Sequence, residues 1–231
     1  MSSEEASYVL SFVALTAWYI WKSRNAFIFR NTPVDPLDTL ARSNYARFEF
    51  INASVITSVH MDNLPVADGS PSWKAPDFLS FKANCDMAVK PNNSVGIVAV
   101  VLRDWKGNVV DGRAKSSRFL SSLQGELDAI RVACLMISTL GLLGVVVESD
   151  NNEAIHLSVS ELVPPWEVLS LVLDIREIAS ASCILFNWVR RAANVSAHTV
   201  ASLALRGSLP VNWVSSPPSA LSDVFLSDSV L

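Results

Sequence analysis

Three acidic side chains stand in parts of the sequence that are otherwise apolar. Asp86 interrupts a segment with the composition of a central strand, where acidic residues are disfavoured. Glu126 lies on the apolar face of a predicted helix, and Asp150 ends the apolar run that begins at Val145. Carboxylates brought together repel one another, and a hard divalent cation such as Mg²⁺ or Mn²⁺ neutralises such a cluster. The residue types are those of a metal site.

Each acid also has a simpler structural explanation. Asp150 followed by Glu153 has the spacing of a helix-starting capping box, with Asp at the N-cap. Asp86 fits the end of a strand, where its side chain faces solvent. Glu126 is in the first turn of its predicted helix, where the helix dipole favours an acid. Taken singly, the three residues leave both explanations open.

The elements that carry these acids follow an α/β order. Three strands joined by short turns predict an antiparallel meander, and the later apolar strands suit a sheet covered on both faces. If the first and fourth strands are neighbours and the helix of Glu126 packs across them, the three acids meet. The predicted strands lie near residues 79–89, 94–103, 109–115, 145–149 and 183–189, and the predicted helices near 122–140, 151–160, 166–180 and 194–206.

The sequence is expected to divide into four parts. Residues 1–57 read as a helical N-terminal segment, since apolar residues recur at three- and four-residue steps. A polar stretch with several Pro and Gly residues predicts a linker over 58–76. The main domain is expected at 77–206, followed by a Ser- and Pro-rich tail at 207–231 with a small apolar cluster able to dock as a helical turn.

Composition excludes several classes of protein. The 231 residues are 50% hydrophobic with a mean hydropathy of +0.32, which is typical of a globular chain and not of a disordered one. The formal charge of -4 gives no general attraction to nucleic acid or acidic membranes. Three cysteines without paired spacing argue against a disulfide framework, and the apolar run Tyr8–Trp21 is too short to span a membrane. We expect an intracellular protein, nuclear or cytoplasmic, that is not secreted and binds no membrane.

Five motifs stand in order within about residues 73–206: Trp73–Pro76 leading to Phe81–Asp86, Gly96 with Leu102–Gly107, Gly125–Ala129, Val147–Asp150 and Val189–Asn194. With these motifs the chain resembles the ribonuclease H type-1 fold, and in particular its plant reverse-transcriptase-like branch, which derives from non-LTR retrotransposons. The segments Trp18–Phe27 and Pro217-Pro218 are similar to the flanks of those proteins.

The resemblance implies a fold, a reaction and a set of ligands. The expected fold is a mixed five-stranded sheet, three antiparallel strands then parallel strands, with helices on both faces. Asp86, Glu126 and Asp150 match three of the four acidic metal ligands of the family. The implied activity is two-metal hydrolysis, with Mg²⁺ or Mn²⁺, of the RNA strand of an RNA/DNA hybrid.

Two positions depart from the family pattern. His198 stands where active enzymes carry the fourth aspartate, and imidazole is a poor ligand for Mg²⁺. We count it as a catalytic-site residue without a metal role, against the simpler explanation of a surface histidine. Met87 replaces the usual glycine beside the first aspartate and is expected to hinder close approach of the substrate. Glu148 offers a replacement carboxylate, although a solvated strand-end role explains it equally.

Phosphate contacts would have to come from local basic residues. Residues 77–206 carry 12 Lys and Arg against 13 Asp and Glu, so affinity for phosphate is expected to be modest. The candidate nucleic-acid-binding residues are Arg103, Lys106, Arg113, Lys115, Arg190, Arg191 and Asn194.

The sequence thus predicts an RNA/DNA-hybrid ribonuclease with nucleic acid as its partner. One alternative is a catalytically impaired, retrotransposon-derived domain that binds nucleic acid, which His198 and Met87 favour. Another is a protein-interaction module, which an exposed apolar helix over residues 7–30 would indicate.

Overall fold

The computed structural model describes residues 3–44, 46, 72–90, 95–160 and 162–228. The chain divides into two compact units, Met1–Leu64 and Pro65–Leu231. Most of the predicted linker, residues 58–76, lies outside the described residues. None of the helices in the described part of the chain combines the length and hydrophobicity that a membrane span requires.

The N-terminal unit contains two helices, α1 (Ser3–Arg30) and α2 (residues 36–44). Asp35 begins α2, because its Oδ1 accepts a hydrogen bond from the backbone N–H of Leu37 at 2.8 Å. Two pairs of hydroxyl groups join the helices. Thr16 Oγ1 lies 3.0 Å from Ser43 Oγ, and Ser23 Oγ lies 2.7 Å from Thr39 Oγ1. Within this unit large apolar side chains of α1 are exposed: Leu10, Val13, Trp18, Ile20, Trp21, Phe27, Ile28 and Phe29.

The second unit is built on a five-stranded sheet with the order β3-β2-β1-β4-β5. β1 pairs antiparallel with β2 and parallel with β4, while β2–β3 is antiparallel and β4–β5 is parallel. The predicted mixed sheet, three antiparallel strands followed by parallel ones, is confirmed. The strands are β1 (Phe81–Val89), β2 (Val95–Asp104), β3 (Val109–Arg118), β4 (Val146–Ser149) and β5 (Leu185–Trp188).

Helices cover both faces of this sheet, as predicted. On one face α3, α4 and α5 bury the side chains of alternate β1 and β2 residues in the larger core. On the other face α6 and α7 form a smaller core with the intervening residues. The helices are α3 (Ser122–Thr139), α4 (Asn152–Val159), α5 (Leu169–Ser182), α6 (Val195–Leu205), preceded by a 3₁₀ turn at Arg191–Ala193, and α7 (Ser219–Asp228).

The period-two pattern of β1 decides which side chain faces which core. Cys85 and Met87 point into the larger core beneath α3. Asn84, Asp86 and Ala88 alternate with them and therefore face the α6 side, where Ala88 belongs to the smaller core. β1 thus directs Cys85 and Met87 to one face of the sheet, and the polar residues Asn84 and Asp86, together with Ala88, to the other.

Residues beyond 206 complete the smaller core. Trp213 is 5% exposed, and Leu221 of α7 is fully buried beside Val101 and Val200. The Cη2 and Cζ2 atoms of Trp213 would lie 2.2 and 2.5 Å from a Cβ at position 112, so only glycine fits that position of β3. The tail therefore packs on the sheet as part of the same unit.

Candidate metal centre

The three acids meet where β4 ends beside β1. Asn84 of β1 is the register partner of Glu148 of β4, so Asp86 and Asp150, two residues further along each parallel strand direction, reach the same edge of the sheet. Glu126 comes from the first turns of α3, whose N-cap is Ser121. One carboxylate oxygen from each of the three acids lies within 4.8 Å of the others.

Burial and mutual repulsion both disfavour the ionised forms of this cluster. Burial, followed by the charges of Asp86 and Asp150, raises the pKa of Glu126 to about 8. Burial and the charge of Asp150 also raise the pKa of Asp86, although hydrogen bonds from His198 and the Met87 N–H act in the opposite direction. A positive charge in the centre would therefore stabilise the ionised carboxylates.

Glu126 carries the most direct sign that the cluster accepts a cation. Its side chain is 8% exposed, and Oε2 has no hydrogen-bond partner among the described residues. Buried oxygens without a hydrogen-bond partner are rare in folded proteins, and coordination of a cation is one of their standard explanations. Oxygen ligands from carboxylates are those that Mg²⁺ and Mn²⁺ prefer, so this donor set fits a hard divalent cation.

His198 of α6 occupies one side of Asp86. Its Nδ1 lies 2.8 Å from Asp86 Oδ2, while the other oxygen of Asp86 accepts from the Met87 N–H at 2.8 Å. A guanidinium nitrogen of Arg191 lies 3.4 Å from His198 Nε2. The imidazole is 39% exposed. His198 is therefore a partly buried partner of Asp86, and the simpler explanation of a surface histidine does not describe it.

Asn194, predicted to contact nucleic acid, is instead fully buried. Its Nδ2 donates to Asp150 Oδ1 at 3.2 Å and to the backbone oxygen of Cys85 at 3.0 Å. A side chain with no exposed surface cannot reach a phosphate, so that prediction was wrong. The sequence offered no local signal for this burial, because the hydrogen-bond partners of Asn194 lie 44 and 109 positions away in the chain.

Arg103, also predicted to bind nucleic acid, is 0% exposed. Its guanidinium lies 3.4 Å from the ring centre of Trp73 and donates to Asp228 Oδ2 of α7 at 2.6 Å. It also donates to Asn84 and Ser196. Arg103 therefore has a structural role on the sheet face that α6 covers. Its position on the same strand face as Ala99 and Val101 is a sequence signal for this burial.

The remaining basic residues predicted to contact nucleic acid are exposed, so for them this stays a prediction. Among them Arg191 reaches the centre indirectly, because a guanidinium nitrogen lies 3.4 Å from His198 Nε2. Lys115 lines an open groove of about 690 Å³ between β3, α3 and α5, but the same groove contains Asp128, Asp174 and Glu177, so it is not a uniformly positive surface. The exposed set is Lys106, Arg113, Lys115, Arg190 and Arg191.

The proposed substitute ligand Glu148 is committed elsewhere. It is 3% exposed, and its two oxygens are 2.9 Å from Lys82 Nζ and 3.0 Å from Asn84 Nδ2. The simpler explanation, a solvated role at the strand end, is wrong as well, because a residue this buried is not solvated. The idea that Glu148 replaces a missing ligand was wrong, since both of its oxygens already have partners.

Met87 does not obstruct the centre in the way the sequence suggested. Its side chain is 8% exposed and belongs to the larger core, on the face opposite Asp86. Met87 Cε would lie 2.6 Å from a Cβ at position 125, so Gly125 gives the methionine its space beneath α3. The prediction that Met87 hinders substrate approach was wrong because strand alternation turns it inward.

The capping explanation of Asp150 was also wrong. The N-cap of α4 is Asn151, whose Oδ1 accepts from the Ala154 N–H at 2.9 Å. Ser149 Oγ in turn accepts from the Asn151 N–H at 3.2 Å. Asp150 is therefore not needed to begin the helix, and its carboxylate is directed to the acidic cluster.

Comparison with known proteins identifies the family of this chain. Residues 84–204, more than half of the 231 residues, match the model of a family described as reverse transcriptase-like. The chain belongs to this family. No curated protein has a sequence that matches this reverse transcriptase-like chain.

Solved structures similar to this reverse transcriptase-like chain share its fold. The N-terminal RNase H domain of a Mycobacterium tuberculosis protein superposes with a TM-score of 0.51 at 18% identity, covering 56% of this chain and 96% of that one. RNase H1 of the archaeon Halobacterium salinarum gives 0.50 at 21% identity, covering 55% and 98%. The RNase H1 called LC11, solved with an RNA/DNA hybrid, gives 0.50 at 17% identity, covering 56% and 99%. The predicted RNase H-like fold is confirmed.

Proposed function

We propose that this chain is a divalent-metal-dependent ribonuclease that cleaves the RNA strand of RNA/DNA hybrids. The observation that carries the proposal is the convergence of Asp86, Glu126 and Asp150 within 4.8 Å, with a buried Glu126 oxygen left without a partner among the described residues. The fold shared with RNase H structures, one of them bound to a hybrid, supports the choice of substrate.

In this proposal Asp86, Glu126 and Asp150 would hold Mg²⁺ or Mn²⁺. When bound, the ions would supply Lewis-acid stabilisation of the phosphate and a water of lowered pKa. Asp86 and Asp150 contribute the carboxylates at the sheet edge, and Glu126 closes the cluster from α3. His198 stays beside Asp86 as a catalytic-site residue that orients this carboxylate through its 2.8 Å hydrogen bond.

The same proposal assigns the exposed cations to the substrate backbone. Arg191, next to His198, is the basic side chain best placed to contact a phosphate near the acids. Arg190, Lys106, Arg113 and Lys115 would add weaker, sequence-independent attraction. The discrimination between RNA and DNA would rest on the ribose 2′-hydroxyl, which is both a donor and an acceptor.

We further propose that the chain represents the plant, non-LTR retrotransposon-derived branch of its family. The motifs from Trp73–Pro76 to Val189–Asn194 and the flanking segments support this. In that arrangement residues 1–57 precede the ribonuclease domain as a helical segment, 58–76 link to it, and the tail 207–231 adds α7 to the domain of 77–206.

A catalytically impaired nucleic-acid-binding domain is the second candidate function. His198 supports it, because its ring occupies Asp86 Oδ2, an oxygen that a fourth carboxylate would leave free for a cation. In that case the cluster would still attract a cation but would support little cleavage.

Hybrid cleavage by the purified full chain in Mg²⁺ and in Mn²⁺ separates the two functions. The ribonuclease proposal expects cleavage of the RNA strand that Asp86→Asn and Glu126→Gln abolish and that Asp128→Asn preserves, since Asp128 lies on the same helix but bonds to Ser117 instead. Absence of cleavage by wild type, with recovery in His198→Asp, would establish the impaired domain. Absence of cleavage in every variant and both metals would reject the ribonuclease.

A further inference from the structure

A buried chain of polar side chains leads from Arg103 to the acidic cluster. Arg103 Nη2 donates to Asn84 Oδ1 at 3.0 Å, and Asn84 Nδ2 donates to Asn194 Oδ1 at 3.2 Å. Asn194 Nδ2 then donates to Asp150 Oδ1 at 3.2 Å. Arg103, Asn84 and Asn194 are each 0% exposed, so water does not compete for these hydrogen bonds.

The direction of this chain is fixed by which atoms can donate. A guanidinium has donors only, so the atom of Asn84 that faces Arg103 must be the carbonyl oxygen. The NH₂ group of Asn84 is then turned toward Glu148 Oε2, 3.0 Å away, and toward Asn194. Glu148, held by Lys82, accepts and cannot donate when ionised, so it enforces the same orientation independently.

The consequence reaches the acidic cluster through Asn194. Because Asn194 must present its oxygen to Asn84, its NH₂ group is left to face Asp150 and the backbone oxygen of Cys85. Cys85 immediately precedes Asp86 in β1. One amide therefore ties the carboxylate of Asp150 to the strand that carries Asp86, and sets the spacing of these two acids from the buried side.

We propose that Asn194 is a positioning residue for the metal centre, held in its donor orientation by Arg103 through Asn84. The inference rests on the proposed function in so far as the positioned group serves a bound cation. Asn194 touches neither substrate nor metal in this scheme. It acts through Asp150, by directing Oδ1 of that carboxylate inward and leaving the other oxygen for the cluster.

Manganese titration of the full chain, followed by electron paramagnetic resonance, tests the role. Outer-shell partners of metal ligands commonly change metal affinity by about tenfold to a hundredfold, so Asn194→Ala should weaken Mn²⁺ binding by about that factor. Ser196→Ala is the matched control, because Ser196 is equally buried, lies two residues away and accepts from Arg103 without contacting Asp150. It should leave Mn²⁺ affinity unchanged. Equal affinity in wild type and Asn194→Ala, or equal weakening in both variants, would overturn the inference.

A second measurement needs no metal and does not require Asn194→Ala to fold. In wild type both NH protons of Asn194 are engaged, by Asp150 and by Cys85, so their NMR signals should be protected from solvent exchange. Asp150→Ala should remove that protection from one of the two protons. If Asn194 exchanges as fast in wild type as in Asp150→Ala, the inference fails.

The two measurements separate this inference from the proposed function. Wild type that binds no Mn²⁺, yet shows protected Asn194 protons that respond to Asp150→Ala, would reject the metal-dependent nuclease and keep Asn194 as the residue that positions Asp150. Normal Mn²⁺ binding with unprotected Asn194 protons would do the reverse.

Discussion

Two groups of acids in the second unit differ in how their charge is neutralised. Glu148 of β4 and Asp228 of α7 form ion pairs with Lys82 and Arg103, at 2.9 and 2.6 Å. Two residues beyond Glu148, Asp150 lies with Asp86 of β1 and Glu126 of α3, and one oxygen of each acid is within 4.8 Å of the others. Among the described residues no Lys or Arg forms an ion pair with any of these three acids.

The difference shows where the fold leaves room for a ligand. A buried charge is tolerated when it is paired and hydrogen-bonded. This holds for Lys82 with Glu148 and for Arg103 with Asp228, which Asn84 joins by hydrogen bonds, and we call these five residues the balanced network. The acidic cluster of Asp86, Glu126 and Asp150 has no Lys or Arg as an ion-pair partner in the described part of the chain, and burial, followed by the charges of Asp86 and Asp150, raises the pKa of Glu126 to about 8. In the first group the neutralising charges belong to the chain, whereas in the acidic cluster a bound cation would supply them.

The largest expected effect is a pH dependence confined to the acidic cluster. Glu126 has its ordinary pKa of 4.5 when the chain is unfolded and one of about 8 when it is folded. Between these values the unfolded chain binds fewer protons, so the free energy of unfolding of the metal-free protein should fall as pH rises from about 4.5 to about 8. The loss should reach as much as about 5 kcal/mol for Glu126 alone, at 1.36 kcal/mol per pH unit.

Denaturant unfolding in EDTA across this pH range measures that loss. Glu126→Gln should flatten the profile and should be more stable than wild type at pH 8, whereas Asp128→Asn should retain the wild-type slope. A wild-type profile that is flat, or that rises between pH 5 and 8, would show that the cluster is not under electrostatic stress.

The next largest effect is a loss of stability on substitution in the balanced network, whereas Glu126→Gln in the acidic cluster is expected to increase stability at pH 8. Arg103→Met should destabilise the chain by about 3–5 kcal/mol, because it leaves Asp228 and the oxygen of Asn84 without their charged partner. Arg103→Lys should recover only part of this, since an ammonium cannot reproduce the planar stack on Trp73. Thermal unfolding measures both. A loss below about 1 kcal/mol, typical of exposed ion pairs, would remove the distinction between the two groups.

A smaller effect on stability is expected at Asn151, which caps α4, than at the residues of the balanced network. Asn151→Ala should cost about 1 kcal/mol of stability, because Asn151 caps α4. It should leave Mn²⁺ affinity at the wild-type value, while Asp150→Asn should weaken Mn²⁺ binding without loss of the cap. Thermal unfolding and manganese titration of both variants test this. Loss of Mn²⁺ affinity in Asn151→Ala would mean that the cap and the cluster are not independent.

The smallest expected effect concerns the cation at the rim of the cluster. Arg191→Ala should weaken hybrid binding slightly and lower the slope of log affinity against log salt by about 0.9, the value for one phosphate contact. Arg206→Ala, an exposed cation just after the other end of α6, should leave the slope unchanged. Fluorescence anisotropy with a labelled hybrid in Ca²⁺ gives both slopes. Identical slopes in the two variants would place the substrate away from Arg191.

The sequence predicted the elements and the acids well, because each left a strong local signal. An aspartate within an apolar strand and a glutamate on an apolar helix face are physically costly, and both proved to lie in the cluster. The antiparallel meander followed from three strands with short turns, whereas the complete mixed five-stranded sheet was expected from the family resemblance. These signals depend on residues close together in the chain.

The partners of the buried polar groups were harder to predict, because they come from distant parts of the chain. Asn84 and Asn194 are separated by 110 positions, and Arg103 meets Asp228 across 125. Arg103, next to a turn, had the appearance of a solvated charge. Strand alternation alone places Arg103 on the same face as Val101 and turns Met87 away from Asp86.

Calorimetric titration of Mn²⁺ into the full chain measures whether Asp86, Glu126 and Asp150 bind a cation. We expect uptake by wild type and by Asp128→Asn, and strongly weakened uptake by Glu126→Gln, although both substitutions remove one acid from the same helix. Failure of wild type to bind Mn²⁺, or equal binding by Glu126→Gln and Asp128→Asn, would contradict this expectation.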